Sequence, residues 1–286
     1  MIAIVMAGGF GTRMRPLTCN VPKPMLPVAN RPVMEHGLGL LKAHGIAEAR
    51  VLLYYQPQVI RDYFGDGSNS GIKLTYVTPE MDLGTAGSVR LAQRDIVQAV
   101  LVISGDVLTD FDLSKVLEFH RERRSPATLV LTRVSNPLPF GVVVTEPDGR
   151  IVRFLEKPTW GEVFSDTVNT GIYVLEPEAL SLVPEGKEFD FSRNLFPMMM
   201  ERGIPLYGYV ASGYWRDIGT LHDYRQAQVD ILRGEVDVEI RGQKTGRIGK
   251  DVWVGEGTKV DASAKLRQAV VLGRRCEIRA GSQISN

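Results

Sequence analysis

After Met1 the chain reads Ile2-Ala3-Ile4-Val5-Met6-Ala7-Gly8-Gly9-Phe10-Gly11-Thr12-Arg13. Residues 2–6 are apolar, and they run directly into a loop rich in glycine. A short apolar run that breaks at glycines is typical of a buried parallel strand. The stretch therefore predicts an α/β domain whose first strand ends at the glycine loop.

The rest of the first half repeats this strand pattern. Short apolar runs follow at residues 50–54, 74–77, 100–104 and 128–132, and amphipathic helical stretches occupy 33–44, 86–94 and 113–124. This alternation predicts a Rossmann-like, doubly wound, mostly parallel sheet. Residues 141–145 and 151–156 flank a Pro-Asp-Gly turn and predict a hairpin, and 169–175 predicts another strand. We therefore expect a mixed sheet with inserted antiparallel strands, closed by a helix at 221–233.

After Gly234 the pattern changes to a period of six. An aliphatic residue recurs at Ile248, Val254, Val260, Leu266, Leu272, Ile278 and Ile284. A hexapeptide period is typical of a β-helix, and an ordinary strand-rich tail is the alternative. We expect a main domain at 1–233, a linker at 234–247 and a partial left-handed β-helix at 248–286. Seven repeats give only about two coils, so we expect this tail to pack in a homo-oligomer or to continue in a longer protein.

Composition excludes several classes of partner. With 286 residues, 44% hydrophobic and 23% charged, the chain suits one or two ordinary globular domains. A formal net charge of +1 gives no overall field for nucleic acid or an anionic membrane. The N-terminus does not resemble a signal peptide, and no apolar run reaches the ~18 residues of a membrane span. Cys19 and Cys276 form no metal motif, and two free thiols suit a reducing compartment, so we expect a cytoplasmic protein.

The glycine loop and the segment after it have the features of a phosphate site. Glycines let the backbone turn its N–H groups toward a phosphate, and Arg13 adds a guanidinium for two phosphate oxygens. The spacing matches neither the P-loop nor the dinucleotide fingerprint. Pro22 and Pro24 hold Lys23 in a stiff segment, which lowers the entropic cost of placing its ammonium group. A bare glycine turn and a solvated lysine are the alternatives.

Two aspartates are candidate metal ligands. Asp106 follows an apolar strand and a glycine, the position where open α/β sheets bind ligands, and Asp217 follows an aromatic residue and a cation. Two carboxylates with triphosphate oxygens would suit Mg²⁺, which takes few protein ligands. A turn or helix cap is the alternative for each, and Asp110 and Asp112 fit that alternative better.

Taken together, the motifs resemble those of the sugar-1-phosphate nucleotidyltransferases, the nucleotide-sugar pyrophosphorylases. The likeness spans residues 1–233, with every motif in family order. It rests on residues 8–18, Pro22-Lys23-Pro24, Leu83-Gly84-Thr85-Ala86-Gly87-Ser88, Ser104-Gly105-Asp106, Phe140-Gly141-Val142, Glu156-Lys157-Pro158, Asn169-Thr170-Gly171-Ile172-Tyr173 and Trp215-Arg216-Asp217-Ile218-Gly219-Thr220.

The resemblance implies an enzyme that joins a nucleoside triphosphate to a sugar 1-phosphate, releases pyrophosphate and uses Mg²⁺. The catalytic residues that it implies are Arg13, Lys23, Asp106 and Asp217, with both aspartates on the metal. The implied nucleotide contacts are Ala7, Gly8, Gly9, Gly11, Thr12, Gly84, Thr85, Ala86 and Gly87. The implied sugar-phosphate contacts are Gly141, Glu156, Lys157, Asn169 and Thr170.

The substrate pair is implied less directly. The amino-acid sequence at residues 84–87, 140–144 and 190–192 is most similar to that of mannose-1-phosphate guanylyltransferases, which use GTP and make GDP-mannose. Thymidylyl, uridylyl or adenylyl transfer to glucose 1-phosphate is the alternative. A non-catalytic regulatory relative is a further alternative, which the retention of Arg13, Lys23, Asp106, Lys157 and Asp217 disfavours. An acyltransferase tail is disfavoured because the tail is short and has no histidine.

Overall fold

The computed structural model describes residues 1–245 and 251–285, and its centre is a nine-stranded mixed sheet. The described strands are β1 Ile2–Met6, β2 Pro27–Val28, β3 Arg31–Pro32, β4 Glu48–Leu52, β5 Lys73–Val77, β6 Val100–Ser104, β7 Val107–Thr109, β8 Ala127–Arg133, β9 Gly141–Thr145, β10 Ile151–Glu156, β11 Thr167–Leu175, β12 Tyr207–Val210, β13 Trp215–Asp217, β14 Gln243–Thr245, β15 Val252–Val254, β16 Lys259–Val260, β17 Lys265–Arg267, β18 Val270–Leu272, β19 Glu277–Ile278 and β20 Gln283–Ser285. The described α-helices are α1 Val33–Ala43, α2 Pro57–Phe64, α3 Gly84–Gln93, α4 Leu113–Arg123, α5 Pro177–Ser181, α6 Phe196–Glu201 and α7 Leu221–Arg233.

The main sheet combines parallel and antiparallel pairs. Across it the strands run β10-β9-β11-β6-β1-β4-β5, and β8 and β12 join beside β11. The strands β1, β4, β5 and β6 pair in parallel, whereas β11 runs antiparallel to β6, β8 and β9. The β9–β10 hairpin extends one edge. The predicted insertion of antiparallel strands into a parallel sheet is confirmed.

Helices cover both faces of this sheet, so strand β1, inside the sheet, is buried on both sides. Ala3 and Val5 pack in one apolar cluster with side chains of α1, α2 and α4. Ile4 packs in a second cluster, with side chains of α3, α5 and α6. This alternation is the period-two geometry of a strand. It explains why a continuous apolar run, rather than an alternating one, begins the chain.

The predicted element bounds differ little from those observed. The hairpin strands and α7 lie where the sequence predicts them. Helix α3 begins at Gly84, two residues before the predicted start, and the Asp82 carboxylate supports its first turn by accepting the Gly84 N–H at 2.9 Å. Asp112 caps α4 as predicted, accepting the Lys115 N–H at 3.2 Å. Asp110 instead accepts the N–H groups of Tyr214 and Asp237.

The tail forms short parallel strand pairs at a constant interval. The pairs β15–β18, β16–β19 and β17–β20 each join residues 18 positions apart, as Val252 with Val270 and Leu266 with Ile284. Six of the predicted aliphatic positions share one apolar cluster with Val252 and Val270: Val254, Val260, Leu266, Leu272, Ile278 and Ile284. The seventh, Ile248, lies outside the described residues.

The tail is attached to the main domain through the tight turn between β2 and β3. The Asn30 side-chain amide donates to the carbonyls of Arg241, at 3.1 Å, and Leu272, at 2.8 Å. Ala29 and Asn30 both have a positive φ. Across residues 1–245 and 251–285, no helix combines the length and the apolar character needed to span a membrane.

Candidate active site

The glycine loop lies at the carboxyl end of β1 and folds back on the segment that carries Lys23. Gly11 has a φ of 62°, and a Cβ at this position would lie 3.1 Å from Thr18 Cγ2 and 3.2 Å from Lys23 Cβ. The Thr18 hydroxyl donates to the Gly11 carbonyl at 2.7 Å. Glycine is therefore required both by the left-handed backbone and by the close approach of two neighbours.

Three candidate catalytic side chains meet below this loop. Lys23 Nζ lies 2.5 Å from Asp106 Oδ2 and 3.5 Å from Asp217 Oδ1. The Ser104 hydroxyl donates to the other Asp106 oxygen at 2.6 Å. The Lys23 side chain is only 9% exposed, so its ammonium is held between the two carboxylates with little access to water.

Two short strands bring the aspartates together. Asp106 follows β6 after Gly105, and the next strand, β7, pairs antiparallel with β13 so that Val107 faces Asp217. The Ile218 N–H donates to the Asp106 carbonyl at 3.1 Å, which closes this pair at the aspartate end. The sheet thus places one carboxylate at the end of β6 and the other beside it.

The electrostatics of this triad follow from burial and proximity. Burial works to raise the pKa of Asp106, but the Lys23 ammonium overrides it, so the pKa of this carboxyl is below its ordinary value. Burial and the nearby Asp106 charge raise the pKa of Asp217. Burial opposes the charge of Lys23, yet the two carboxylates raise its pKa. The two carboxylates share one ammonium group. A further positive charge between them would therefore stabilise their ionised forms.

The donor set fits Mg²⁺. Asp106 and Asp217 offer oxygen ligands at one point, and residues 1–245 and 251–285 contain no group of three or more His, Cys, Asp or Glu side chains able to hold a metal, at this site or elsewhere. Mg²⁺ is commonly held by one or two carboxylates together with substrate phosphates and waters. Two carboxylates beside the glycine loop match the protein part of that composition.

Arg13 lies at the exposed rim of the same site. A Cβ built on Gly219 would lie 2.9 Å from Asp217 Oδ2 and 3.4 Å from Arg13 Nη2, so the guanidinium and this carboxylate flank the same glycine. The Arg13 charge lowers the pKa of Asp217, although burial outweighs this effect. An exposed guanidinium beside the glycine loop is free to bind phosphate oxygens.

A cavity of about 360 Å³ extends from the triad to the first turn of α3. Thr85 Oγ1 donates to Asp190 Oδ2 at 2.8 Å, which ties this turn to the segment before α6. A Cβ on Gly84 would lie 2.7 Å from the Phe189 carbonyl oxygen. The cavity is lined by Met6, Gly8, Gly9, Phe10, Leu52, Leu53, Tyr54, Pro79, Met81, Asp82, Leu83, Gly84, Thr85, Ser88, Ser104, Asp106, Glu188 and Asp190.

The predicted sugar-phosphate residues form a second group on the β9–β10 hairpin. Gly141 pairs with Glu156, and a Cβ at Gly141 would lie 2.7 Å from Glu156 Oε2. Lys157 Nζ lies 3.9 Å from Glu156 Oε1, and its side chain is 57% exposed. Burial raises the pKa of Glu156, against the opposing effect of the Lys157 ammonium. The hairpin thus presents a half-buried carboxylate and an exposed cation side by side.

The strand β11 connects the hairpin to the triad. Asn169 Nδ2 donates to the Tyr173 hydroxyl at 3.1 Å. The Thr170 hydroxyl donates to the Val130 carbonyl, and the Thr170 carbonyl accepts the Trp215 indole N–H at 3.1 Å. Thr170 is therefore engaged inside the sheet, where it holds the strand that carries Asp217.

Most of the predicted residues thus lie in two groups, and two exceptions, Ala7 and Thr170, are already engaged inside the sheet. Ala7 is buried, and its N–H is already bonded to the Leu52 carbonyl at 3.0 Å. Two residues that the site predictions omit belong to the arrangement. Ser104 bonds Asp106, and its place in the Ser-Gly-Asp motif was the available signal. Asp190 accepts a hydrogen bond from the Thr85 hydroxyl. The sequence signal for Asp190 was its position as a helix cap, in which it accepts the Ser192 N–H at 2.9 Å.

Comparisons with known proteins identify the family. The family described as nucleotidyl transferase matches residues 2–234. A mannose-1-phosphate guanylyltransferase of Mycobacterium tuberculosis is 39% identical over 285 residues, covering 99% of this chain and 77% of the relative. A UTP–glucose-1-phosphate uridylyltransferase of Synechocystis is 34% identical over 317 residues, covering 100% of this chain and 82% of the relative.

A solved structure agrees as well. A Bacillus anthracis protein assigned as a glucose-1-phosphate thymidylyltransferase superposes with a TM-score of 0.74 at 26% identity, covering 84% of this chain and 97% of that one. The chain belongs to the nucleotidyl transferase family, among the sugar-1-phosphate nucleotidyltransferases that its motifs resemble. The predicted class of enzyme is confirmed.

Proposed function

We propose that this enzyme transfers a guanylyl group from GTP to mannose 1-phosphate, giving GDP-mannose and pyrophosphate. The 39% identity to the Mycobacterium tuberculosis guanylyltransferase, over 99% of this chain, supports the substrate pair. The observation that supports the activity is the meeting of Lys23, Asp106 and Asp217. These residues are far apart in sequence, and contacts of 2.5 and 3.5 Å join the lysine to the two aspartates.

In this proposal the protein acts by positioning and by charge. The glycine loop and Arg13 bind the β and γ phosphates, and Lys23 turns from the carboxylates to the α phosphate. An oxygen of the sugar 1-phosphate attacks the α phosphorus, the bond to the bridging oxygen breaks, and pyrophosphate leaves. Because the attacking oxygen is already ionised, no protein nucleophile or strong base is required.

Asp106 and Asp217 are the proposed Mg²⁺ ligands, and the ion would neutralise phosphate charge at the reacting centre. Glu156 and Asn169 are the proposed partners of the sugar hydroxyls, and Lys157 of the sugar-linked phosphate. Gly141 leaves the space in which Glu156 sits.

A uridylyl transfer to glucose 1-phosphate is the second candidate. The Synechocystis uridylyltransferase, 34% identical over the whole chain, favours it. Selection among such substrates depends on a few hydrogen bonds. Overall sequence identity therefore places the guanylyl pair first, and the choice between the two substrate pairs is made by experiment.

The experiment is a matrix of pyrophosphate release. The four nucleoside triphosphates are each combined with mannose, glucose and N-acetylglucosamine 1-phosphates, with Mg²⁺ or with EDTA. We expect the largest kcat/KM for GTP with mannose 1-phosphate and no release in EDTA. A larger value with UTP and glucose 1-phosphate would establish the second candidate. If the folded protein releases no pyrophosphate with any substrate pair, the result would favour the non-catalytic regulatory alternative.

We further propose that the tail is a left-handed β-helix that joins two copies of the chain. The interval of 18 residues between paired strands is three hexapeptides, the length of one three-sided coil. A monomer by light scattering would contradict the dimer. Because its proposed substrate is a nucleoside triphosphate and its cysteines are free, we place the enzyme in the cytoplasm.

A further inference from the structure

The cavity between the triad and α3 is acidic at its α3 end, which is where the implied nucleotide contacts Gly84 and Thr85 lie and where we place the base. Among the described residues that line this cavity, four are carboxylates and none is a lysine or arginine. Asp106 belongs to the phosphate end, whereas Asp82, Glu188 and Asp190 lie around the first turn of α3. Carboxylates repel phosphates and accept hydrogen bonds, so this end suits a neutral group that is rich in donors.

Two of these three carboxylates already have partners. Asp82 accepts the Gly84 N–H at 2.9 Å. Asp190 accepts the Thr85 hydroxyl at 2.8 Å, and it accepts two backbone N–H groups, from Ser192 and Arg193. The Glu188 carboxylate makes no hydrogen bond or ion pair with any other residue in 1–245 or 251–285. It is therefore the one of these three carboxylates with both oxygens available to a ligand.

The backbone next to Glu188 is fixed against α3. The Phe189 N–H donates to the Leu83 carbonyl at 2.9 Å. The Phe189 carbonyl accepts the N–H groups of Ala86, at 2.9 Å, and Gly87, at 3.0 Å. These three bonds hold the Glu188 backbone at the cavity wall, so its side chain needs only rotamer changes to meet a bound base.

The nucleobases differ in what they offer a carboxylate. Guanine presents two adjacent donors, N1–H and the N2 amine, which the two oxygens of one carboxylate accept together. Uracil and thymine present one N–H between two carbonyls, and adenine presents its amine beside an acceptor nitrogen. A carboxylate facing any of these three bases would therefore meet a lone pair as well as a donor.

We propose that Glu188 is a specificity-determining residue that selects guanine by accepting hydrogen bonds from N1–H and the N2 amine. This role rests on the proposed function, because it takes GTP as the nucleotide. It assigns base selection to a segment about 100 residues beyond the first turn of α3, which the sequence motifs for the nucleotide do not include.

The test compares kcat/KM for GTP, ITP and dGTP in wild type, Glu188→Gln and Glu185→Gln. ITP lacks the N2 amine, and dGTP lacks the ribose 2′ hydroxyl. Glu185 lies in the same segment but lines a neighbouring cavity, so it is the matched control. We expect Glu188→Gln to lower kcat/KM for GTP roughly 10- to 100-fold, as for loss of charged hydrogen bonds, and to abolish the preference of GTP over ITP. The GTP-to-dGTP ratio and the Glu185→Gln enzyme should stay unchanged.

The outcomes separate the two proposals. A wild type that is inactive with GTP but active with another triphosphate contradicts the proposed function. A wild type that prefers GTP, with a Glu188→Gln variant that keeps its GTP-to-ITP ratio, overturns the role of Glu188 alone. An equal loss on GTP and ITP with a changed GTP-to-dGTP ratio would place Glu188 on the ribose and would also overturn the proposal.

Discussion

Lys23 compensates two partly buried carboxylates, so its replacement tests both catalysis and electrostatics. We expect Lys23→Ala and Asp106→Asn to lower turnover by roughly 10²–10³-fold or more, because each removes charge from the reacting centre. Pyrophosphate release under saturating substrates measures this effect, and circular dichroism confirms the fold. A variant with a near-normal rate would contradict the assigned role. Lys73→Ala, with a side chain 68% exposed, is the control.

The same replacement makes stability depend on Mg²⁺. In Lys23→Ala, Asp106 and Asp217 lose the ammonium that lies 2.5 and 3.5 Å away. Breaking a buried ion pair costs about 3–5 kcal/mol, and these carboxylates are partly exposed, so we expect less than that. A cation that binds the folded state restores stability. The melting temperature of Lys23→Ala should therefore rise more with Mg²⁺ than that of wild type, and an equal rise would argue against both aspartates as ligands.

At the scale of elements, adding a Cβ at two different glycines should have different effects, one on function and one on stability. A Cβ at Gly141 meets Glu156 Oε2 at 2.7 Å and Phe154 Cζ at 2.9 Å, both at the ends of side chains that can move. A Cβ at Gly84 meets the Phe189 backbone at 2.7 to 3.1 Å, and its φ is +65°. Backbone cannot yield as side chains do.

We therefore expect opposite signatures from the two alanine variants. Gly141→Ala should raise KM for the sugar 1-phosphate roughly tenfold with little change in stability, because it displaces Glu156. Gly84→Ala should cost about 1–3 kcal/mol of unfolding free energy and weaken nucleotide binding. Urea titration and steady-state kinetics with each substrate varied measure both effects. Equal melting points for Gly84→Ala and wild type would contradict the second expectation.

The packing of α4 predicts a pH dependence of stability. His120 Nδ1 lies 2.9 Å from Thr128 Oγ1, and its Nε2 lies 3.3 Å from a Glu176 carboxylate oxygen. Burial lowers the pKa of His120 below its ordinary 6.5, against the opposing Glu176 hydrogen bond. The unfolded chain therefore binds more protons near and below pH 6.5, so the free energy of unfolding falls as the pH drops.

Urea unfolding at pH 7.5 and 5.5 measures this loss. We expect a drop of at most about 1.4 kcal/mol per pH unit from one histidine. His120→Gln should reduce the drop without abolishing it, because burial also lowers the pKa of His36. A variant with the same pH dependence as wild type would show that His120 does not carry it.

The sequence predicts elements with strong local patterns and does not predict contacts between weak ones. The β9–β10 hairpin is recognisable from its turn and apolar runs. The pairing of β7 with β13, which brings Asp217 beside Asp106, joins strands of three residues about 100 positions apart. Such short strands have no periodicity to read. The motifs thus named both aspartates, but they could not reveal that Lys23 lies between them.

At the scale of the whole molecule, Asn30 is the contact to test between the main domain and the tail. Its amide donates to the Arg241 and Leu272 carbonyls, and its φ of 65° is one that glycine tolerates. Asn30→Gly therefore deletes both bonds without adding backbone strain. We expect faster amide hydrogen exchange in residues 251–285 and a kcat within about twofold of wild type. The β9–β10 hairpin is the internal control, and unchanged exchange in the tail would contradict the expectation.

The interval between paired tail strands also sets how this tail can change in length. In the three-sided β-helix proposed above, an insertion of 18 residues adds one coil and returns the chain to the same side, so the faces presented to the main domain are preserved. An insertion of six keeps each aliphatic side chain inward but turns everything beyond it by one side. In that proposed β-helix, only insertions of whole coils lengthen the tail without rotating its far end.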